Sequence, residues 1–446
     1  MYINYNISLG SLIDKITKTH FWDISEAKLL QLLRRYDLEQ GSPVLTVRGQ
    51  YMPRPWTEWT MGFFFGSIIL QYEITKNKKF LYYVLTNLDK YMVKYLTHSG
   101  IHDHGFQTIS SYGNLLRALH EDKEISAMCR LAIQVSGAVQ AMRWTSLKQG
   151  GYIYSFKGPH SLFIDTMRTL RVLAFAFRLG HILLEEGDQK ISLLERLVFH
   201  ALTTARYNVY YGEGRDIYDV RGRVAQEALF NVKNQSFVGV GVHQGYSPFS
   251  TWMRGLAWAI LGFAEQLEFL SSLDPEEFAR FQLDKNDIIE IFTRAATATA
   301  DFYIANTARD GIPYWDSGAP NLKAISLEEP ADPYNPYEPV DSSAAVIAAQ
   351  GLLRLGHFLK DEKFVCAGLT VANRILDELY LSSDLNHEGL ILHSIYNRPY
   401  GWDYVPDGHK IPCGEASMWG DYHARELILY ITYLAVGKYL TFYSVY

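Results

Sequence analysis

Six stretches of this chain are apolar around almost their whole helical circumference, and stretches with a charged face alternate with them. A helix that is apolar on all sides is buried, whereas a helix with one charged face lies at the surface. The apolar stretches lie at about residues 62–72, 112–119, 166–179, 256–267, 344–355 and 424–434. The stretches with a charged face lie at about residues 78–95, 121–142, 193–210, 286–306 and 361–379, and a helix at about 11–36 supplies a sixth. The alternation predicts an all-α fold, an (α/α)6 barrel of six inner and six outer helices, formed by residues 1–446 as a single domain.

The composition is that of a globular chain without a polyanionic partner. Of the 446 residues 48% are apolar, and the formal net charge is -6, with Lys and Arg scattered along the sequence. Proteins that bind nucleic acid gather basic residues on one face, so we expect no nucleic-acid partner. No stretch reaches the roughly 20 apolar residues that a membrane span needs, so we expect no membrane partner either.

The cysteines and the N-terminus indicate a cytoplasmic location. Cys129, Cys366 and Cys413 are far apart and form no CxxC pair, which argues against a disulfide framework or a structural zinc site. Residues 1–15 have neither a basic start nor an unbroken apolar core, so we expect no signal peptide.

Three long connections, at about residues 212–249, 311–339 and 385–418, interrupt the helical pattern and are rich in Gly, Pro, Tyr and Trp. Long ordered loops of this kind usually build binding sites. Polar or aromatic clusters also precede the apolar stretches, beginning at Trp56, His102, Phe163, Trp252, Asp341 and Trp419. If the helix ends converge, the connections and the clusters line one cavity.

Two of these clusters place an aspartate at matching points, Asp103 and Asp165. Cleavage of a sugar linkage by acid and base needs a proton donor and usually a second carboxylate. An aspartate before a helix is also an ordinary N-cap. The context favours catalysis, because Asp103 lies between His102 and His104, and Asp165 follows a Phe-Ile pair that would desolvate it. Desolvation raises the pKa of a carboxyl group, as a general acid at neutral pH requires.

An arginine flanked by tryptophans forms the second candidate cluster. Trp252 precedes Arg254 by two residues and Trp258 follows it by four, so Arg254 and Trp258 share a helix face. A guanidinium binds a carboxylate through two hydrogen bonds, and an indole offers a flat face to a sugar ring. The other interpretation is a buried arginine paired with an aspartate among core tryptophans. The polar residues His243 and Gln244 on the preceding loop favour a pocket.

Other chemistries have weaker signals. His102, Asp103 and His104 suggest a metal site, but no third ligand follows at a clear spacing, so we expect no metal. The sequence contains neither a GxSxG nucleophile motif nor a phosphate-binding GxxxxGK loop. Hydrolysis by carboxylates is therefore the best-supported chemistry.

Taken in order, the clusters resemble those of the unsaturated glucuronyl hydrolases and the related unsaturated rhamnogalacturonyl hydrolases. Similar stretches are Trp56-Thr57-Glu58, His102-Asp103, Phe163-Ile164-Asp165-Thr166-Met167, Gln244-Gly245-Tyr246, Ser250 to Trp258, Asp341-Ser342-Ser343 and Trp419-Gly420-Asp421-Tyr422. They extend over about residues 56–430, nearly the whole chain. No single motif is decisive, but seven of them occur in the order of the family.

The resemblance implies an (α/α)6 barrel that adds water across the vinyl ether of a 4,5-unsaturated uronic acid, the non-reducing end left by polysaccharide lyases. Asp165 would protonate C4 and then help water to add at C5, while Asp103 would hold the ring hydroxyls from across the ring. Gln244, Arg254 and Trp258 would bind the uronate. No cofactor is implied, and the expected partner is an oligosaccharide with a terminal uronic acid.

The residues expected to bind the substrate are Trp56, His102, His104, Arg221, His243, Gln244, Trp252, Arg254, Trp258 and Trp419. Arg221 belongs to a Tyr-Asp-Val-Arg stretch that stands where the glucuronyl branch has a Tyr-His pair. This departure leaves open an exo-β-glucuronidase that acts on saturated glucuronides. Two further alternatives are a sugar isomerase or epimerase that uses the histidines and a non-catalytic barrel that binds sugars.

Overall fold

The computed structural model describes residues 1–54, 59–279, 281 and 283–444. The helices are α1 (Leu9–Lys18), α2 (Phe21–Arg35), α3 (Met61–Thr75), α4 (Lys78–Leu96), a π-helical segment (Gly105–Gly113), α5 (Asn114–Ala118), α6 (Lys123–Met142), α7 (Thr166–Thr169), α8 (Arg171–Arg178), α9 (Leu193–Tyr207), α10 (Met253–Ser271), α11 (Lys285–Asn306), α12 (Ser342–Leu359), α13 (Glu362–Ile375) and α14 (Met418–Ala435). The strands are β1 (Leu45–Val47), β2 (Gln50–Met52), β3 (Trp144–Ser146), β4 (Gly151–Ile153), β5 (Ser161–Phe163), β6 (Ile182–Glu185), β7 (Gln189–Ser192), β8 (Glu227–Asn231) and β9 (Ser236–Gly241). Short 3-10 helices lie at Leu38–Gln40, Glu186–Asp188, Pro275–Phe278, Leu322–Ala324 and Arg398–Tyr400.

The inner helices form a closed ring. Helix α3 packs against the π-helical segment, which packs against α7 and α8, and the ring continues through α10, α12 and α14 back to α3. The outer helices α4, α6, α9, α11 and α13 each pack against this ring, while α1 and α2 cover α14 and α3. This is the (α/α)6 barrel that the sequence predicts.

The burial of the helices follows their sequence pattern. In α10 every residue from Met253 to Leu270 is buried, whereas α4 buries Phe80, Val84, Leu88 and Met92, one residue per turn. An all-round apolar helix belongs to the interior, and a helix with one apolar stripe belongs to the surface. In the described part of the chain no helix combines the length and the apolar character that crossing a membrane requires.

Two inner elements differ from the predicted regular helices. The element predicted at 112–119 starts earlier, as the π-helical segment Gly105–Gly113, and ends with α5. The element predicted at 166–179 is divided into α7 and α8 at Leu170. A π-helix has a wider hydrogen-bond spacing than an α-helix, and a pattern that repeats every 3.6 residues does not detect it.

The strands lie outside the ring, in three antiparallel hairpins and one three-stranded sheet. The sheet has the order β5-β8-β9, so it joins the 212–249 connection to the segment that precedes α7. The sequence predicts that connection as a loop, and this prediction is wrong for β8 and β9. The strand-like stretch predicted near residues 151–156 begins with β4.

A buried ion-pair network joins the four inner helices α7, α8, α10 and α14. The fully buried guanidinium of Arg168 in α7 donates to Glu265 of α10 and, at 2.7 Å, to Glu426 of α14. Arg171 of α8 lies 3.5 Å from Glu426. Removing one partner of a buried pair usually costs about 3–5 kcal/mol, because the other charge is left uncompensated. The network therefore fixes which inner helices are neighbours.

Gly62 lies where α3 crosses the π-helical segment, and a β-carbon on Gly62 would lie 2.3 Å from the carbonyl oxygen of Gln107. We expect Gly62→Ala to lower the free energy of unfolding by about 1–3 kcal/mol, the usual cost of overpacking, and to lower Tm. Gly10→Ala in α1 is the control, since its β-carbon would have no neighbour closer than 3.7 Å. The control should melt at or slightly above the wild-type temperature. Wild-type melting of Gly62→Ala would contradict the close approach of the two elements.

Candidate active site

A cavity lies where the N-terminal ends of inner helices meet the long connections. Asp165 directly precedes α7, Asp103 stands two residues before the π-helical segment, and Arg254 lies in the first turn of α10. The wall consists of Trp59, Ile101, His102, Asp103, Phe106, Phe156, Phe163, Asp165, His243, Gln244, Trp252, Arg254, Trp258, Tyr396, Asn397 and Trp402. Aromatic rings therefore enclose a small number of polar groups.

Asp103 and Asp165 are the carboxylates of this wall. Each residue is 9% exposed, so both carboxyl groups are largely withdrawn from water. Asp165 occupies the N-cap position of α7, but its side chain makes no capping hydrogen bond. Asp165 therefore does not serve as a helix cap, which is the ordinary structural role of an aspartate at this position.

His102 lies between the two carboxylates and is hydrogen-bonded to Asp165. Its Nε2 lies 3.1 Å from Oδ1 of Asp165, and its Nδ1 lies 3.9 Å from Oδ2 of Asp103. The ring stacks on Phe156 at 6.2 Å and meets the edge of Phe163 at 5.7 Å. His102 is only 2% exposed, so its principal polar contacts are with the aspartates.

Burial and mutual charge set the pKa values of this group. Burial raises the pKa of the Asp103 carboxyl to about 6; the charge of Asp165 adds to the rise, and His102 opposes it. Burial alone would lower the pKa of the His102 imidazole, but Asp103 and the hydrogen bond to Asp165 raise it above its ordinary value. Near neutral pH the His102 imidazole and the Asp103 carboxyl therefore hold an exchangeable proton beside the cavity.

The Arg254 guanidinium is fully buried and is held by three oxygens. Nη1 donates to Oδ2 of Asp341 at 2.7 Å and to the carbonyl oxygen of Ile395, and Nη2 donates to the carbonyl oxygen of Tyr396 at 2.7 Å. The second interpretation from the sequence, a buried arginine paired with an aspartate, therefore describes these contacts. Arg254 lines the cavity and also fixes the backbone of the 385–418 connection.

Aromatic rings stacked on one another form the wall beside Arg254. Trp59 packs on Trp419 with ring centroids 4.8 Å apart, and its Nε1 donates to the Tyr396 hydroxyl at 3.3 Å. The Trp252 and Trp419 rings lie 4.7 and 5.0 Å from the Arg254 guanidinium carbon. Flat apolar faces of this kind suit the faces of a pyranose ring.

Gln226 fixes the connection that follows β9. Its Oε1 accepts hydrogen bonds from the backbone N–H groups of His243 and Gln244, both at 2.8 Å. Gln244 Nε2 in turn donates to the carbonyl oxygen of Tyr396 at 3.2 Å. Burial lowers the pKa of His243 to about 4, so its imidazole is neutral near pH 7. This side of the cavity therefore presents neutral polar groups.

The structure brings together eight residues that the sequence predicts for the site: His102, Asp103, Asp165, His243, Gln244, Trp252, Arg254 and Trp258. Trp56 lies outside the described residues. Three other predicted residues, His104, Arg221 and Trp419, do not line the cavity.

His104 is fully buried on the side of α6 rather than in the cavity. Its Nδ1 lies 2.7 Å from the Ser136 hydroxyl and its Nε2 lies 3.1 Å from the carbonyl oxygen of His98. His102 and His104 bracket Asp103 in the sequence, but they are held by different elements. His104 therefore supports the segment that carries Asp103.

Arg221 and Trp419 also lie away from the cavity wall. Arg221 is exposed and forms an ion pair at 2.6 Å with Asp301 of the outer helix α11. Its guanidinium therefore lies at the surface of the barrel. Trp419 is fully buried behind Trp59, and its Nε1 donates to the Ser343 hydroxyl at 2.9 Å. Trp419 thus supports the wall from behind.

Sequence reasoning missed the wall residues Trp59, Ile101, Phe106, Phe156, Phe163, Tyr396, Asn397 and Trp402. Trp59, Phe106 and Phe163 stand within the clusters that precede the apolar stretches, so a signal for them existed. Tyr396, Asn397 and Trp402 lie in the 385–418 connection, where the sequence identifies the region but not its individual residues. Asn397 is fully buried, and its amide oxygen and nitrogen have no hydrogen-bond partner among the described residues.

The arrangement is suited to proton transfer at a neutral or anionic sugar. It offers two carboxyl groups, an imidazole between them and aromatic faces, in a setting of low exposure that strengthens electrostatic interactions. Within the described ranges, no three His, Cys, Asp or Glu side chains are grouped as they would be around a metal ion.

Comparison with known proteins connects this site to a family. The sequence model of Glycosyl Hydrolase Family 88 matches residues 42–299. An unsaturated glucuronyl hydrolase of Formosa agariphila is 26% identical over 388 residues, which cover 84% of this chain and 80% of that protein.

Two solved structures share the fold. The crystal structure of the unsaturated glucuronyl hydrolase of Bacillus sp. GL1, responsible for the degradation of glycosaminoglycan, has a TM-score of 0.70 at 22% identity, over 94% of this chain and 97% of that chain. A variant of the Streptococcus agalactiae unsaturated glucuronyl hydrolase, complexed with dGlcA-GalNAc6S, has a TM-score of 0.64 at 19% identity, over 93% and 91% of the two chains.

The burial of Asp103 predicts a pH-dependent change in stability. The pKa of the Asp103 carboxyl is about 6 in the folded protein, above its ordinary value of 3.8. The free energy of unfolding therefore falls as the pH rises from 3.8 to about 6, because the carboxylate ionises more readily in the unfolded chain. Asn cannot ionise, and we expect Asp103→Asn to exceed the wild type in free energy of unfolding by about 3 kcal/mol above pH 6. The difference should shrink towards zero as the pH falls to the ordinary value, and thermal melts across this range measure it.

Asp219 provides a control of opposite sign. Burial alone would raise the pKa of the Asp219 carboxyl. Hydrogen bonds from the backbone N–H groups of Gly212, Glu213 and Arg215 outweigh burial and hold this pKa below its ordinary value. Asp219→Asn should therefore be less stable than the wild type at neutral pH, and the difference should disappear on acidification. An Asp103→Asn protein that is destabilised in the same way would show that Asp103 is not buried as described.

The Arg254–Asp341 pair predicts strong energetic coupling. Arg254→Met and Asp341→Asn should each lower the free energy of unfolding by about 3–5 kcal/mol, because each leaves a buried charge unpaired. The double variant should lose much less than the sum of the two, and thermal or denaturant unfolding of all four proteins measures the coupling. The exposed pair Arg221 and Asp301 is the control, where the corresponding cycle should give about 0–1 kcal/mol. Additive losses at Arg254 and Asp341 would contradict the buried pair.

Proposed function

The chain belongs to Glycosyl Hydrolase Family 88 and is a glycoside hydrolase, and on this premise we propose that it hydrates unsaturated uronic acids. The substrate is the 4,5-unsaturated uronyl residue at the non-reducing end of oligosaccharides that polysaccharide lyases release. The observation that carries the proposal is the pair of buried carboxyls, Asp103 and Asp165, joined through His102 in an aromatic cavity. The relative complexed with dGlcA-GalNAc6S supports an oligosaccharide as the ligand.

The reaction adds water across the C4=C5 bond of the vinyl ether. A proton from the enzyme bonds to C4, and the oxygen of water bonds to C5 as it returns a proton to the enzyme. The C5 hemiketal opens by cleavage of the C5–O5 bond, which leaves a ketone at C5 and a hemiacetal at C1. The hemiacetal then breaks its C1–O bond, and the departing sugar oxygen takes up the hemiacetal proton. The enzyme ends with the protons with which it began.

Asp165 is the group that we assign to both proton transfers. Its side chain makes no helix cap and receives the His102 ring at 3.1 Å, so a proton held by the imidazole is one hydrogen bond away. His102, whose pKa is raised by its two carboxylate neighbours, supplies the proton that Asp165 carries to C4, and the carboxylate left on Asp165 then accepts the proton of water. Because His102 is buried, it acts through Asp165 as a positioning residue and proton store.

Asp103 is the partner that we assign to the ring hydroxyls. With a pKa of about 6, this carboxyl either donates or accepts a hydrogen bond near neutral pH. Its charge also raises the pKa of His102, so Asp103 keeps the proton of Asp165 available.

The uronate carboxylate is assigned to Gln244 and Trp258, with Arg254 behind them. The terminal nitrogens of Arg254 already donate to Asp341 and to two backbone carbonyls. We therefore assign Arg254 to holding the Tyr396 backbone, on which the Gln244 amide also rests at 3.2 Å.

Replacing the proposed proton donor tests the proposal. Asp165→Asn should reduce turnover by at least about 100-fold, the low end for loss of an acid-base group, with little change in Tm. The measurement is the decay of the ultraviolet absorbance of the conjugated uronate in lyase-generated disaccharides. Asp122→Asn is the matched control, because Asp122 also precedes a helix and its side chain caps that helix.

Two results would count against the proposal. Wild-type turnover in Asp165→Asn would remove the role of this carboxyl. A wild-type enzyme that cleaves a saturated chromogenic glucuronide and leaves every unsaturated disaccharide intact would instead identify an exo-β-glucuronidase that uses the same cavity.

A further inference from the structure

We propose that Tyr400 and Trp402 form a stacking surface for the sugar ring that is released, at the mouth of the cavity. This inference rests on the proposed function and adds the part of the site that contacts the leaving sugar. Neither residue stands in the sequence clusters that precede the inner helices.

The two rings form a parallel pair at the rim. Their centroids lie 5.6 Å apart with an interplanar angle of 28°. Trp402 belongs to the cavity wall, whereas Tyr400 is 56% exposed. The pair therefore extends the aromatic lining from the interior to the solvent.

Tyr400 also reaches across to the opposite connection. Its ring lies 5.1 Å from the His243 ring, and its hydroxyl lies 3.4 Å from His243 Nδ1. His243 is part of the cavity wall, so Tyr400 stands at the edge of the opening and not on a remote surface.

The backbone that carries the pair is firmly held. The Asp403 carboxylate accepts the backbone N–H groups of Tyr396 and Asn397, the latter at 3.0 Å. Arg254 donates to the carbonyl oxygen of Tyr396. The backbone N–H of Trp402 donates to the carbonyl oxygen of Asn397 at 3.3 Å. A surface that is ordered before binding loses little conformational entropy when a ligand stacks on it.

The position of the pair determines which sugar it contacts. Asp103 and Asp165 are 9% exposed, and Tyr400 is 56% exposed, so a substrate that places its terminal uronate at the carboxyls directs its next sugar towards the rim. An aromatic face binds the C–H face of a pyranose through dispersion and removal of apolar surface from water. The ligand chemistry is thus a pyranose ring attached to C1 of the unsaturated uronate.

The test compares a leaving group that has a ring with one that has none. Dissociation constants for an unsaturated disaccharide and for the methyl glycoside of the same unsaturated uronate are measured by calorimetry. The Asp165→Asn protein is used, so that neither ligand is consumed. Adding Tyr400→Ala should weaken disaccharide binding by about 3- to 10-fold, as expected for loss of one stacked ring, and should leave methyl glycoside binding unchanged. Tyr400→Phe should restore disaccharide affinity, because the ring remains.

Tyr82→Ala is the matched control, since Tyr82 is 74% exposed on the outer helix α4, and it should change neither constant. Equal weakening of both ligands by Tyr400→Ala would overturn the inference, because Tyr400 would then only support the fold of the site. No change for either ligand would also overturn it. Failure of the Asp165→Asn protein to bind either ligand would overturn the proposed function itself, which separates the two outcomes.

Discussion

The hydrogen bonds of the Arg254 guanidinium hold the parts of the cavity in register. One side chain joins α10, the N-terminus of α12 through Asp341, and the 385–418 connection through the carbonyl oxygens of Ile395 and Tyr396. These elements are far apart in sequence, and a buried cation must satisfy its donors with oxygens that lie in fixed positions. The aromatic wall that begins at Tyr396 is placed by this constraint. The same contacts explain why an arginine that lines the cavity is fully buried.

The barrel supplies the geometry that brings acid and base chemistry together. Its inner helices start around one opening, and two of those starts carry Asp103 and Asp165. His102 lies between the two carboxyls, so the pKa of His102 depends on Asp103 and Asp165, and the pKa of Asp103 depends on His102 and Asp165. Burial raises the pKa of the Asp103 carboxyl to about 6, and the neighbouring carboxylates raise the pKa of the His102 imidazole.

The fold was largely predictable, because all-round apolar helices alternate with helices that have a charged face, and that alternation is a direct consequence of a two-layered barrel. The two aspartates were predictable from their matching positions before inner helices. Two of the predicted residues lie away from the cavity for local reasons. His104 is two residues from His102 but belongs to a different environment, and Arg221 is engaged by Asp301 on an outer helix. Tyr396, Asn397 and Trp402 could not be identified individually, because no periodic pattern encodes the hydrogen bonds that place them. Asp403 and Arg254 hold the backbone of Tyr396 and Asn397, and the backbone N–H of Trp402 donates to the carbonyl oxygen of Asn397.

The most direct test of vinyl ether hydration is the ratio between two initial rates on one unsaturated disaccharide. The loss of ultraviolet absorbance reports the C4=C5 bond, and the appearance of the released sugar reports cleavage at C1. Hydration consumes the double bond before the C1–O bond breaks, so the account predicts that one double bond is lost for each sugar released, with absorbance loss never lagging behind release. Release of the sugar while the absorbance persists would show direct attack at C1 and would contradict the account.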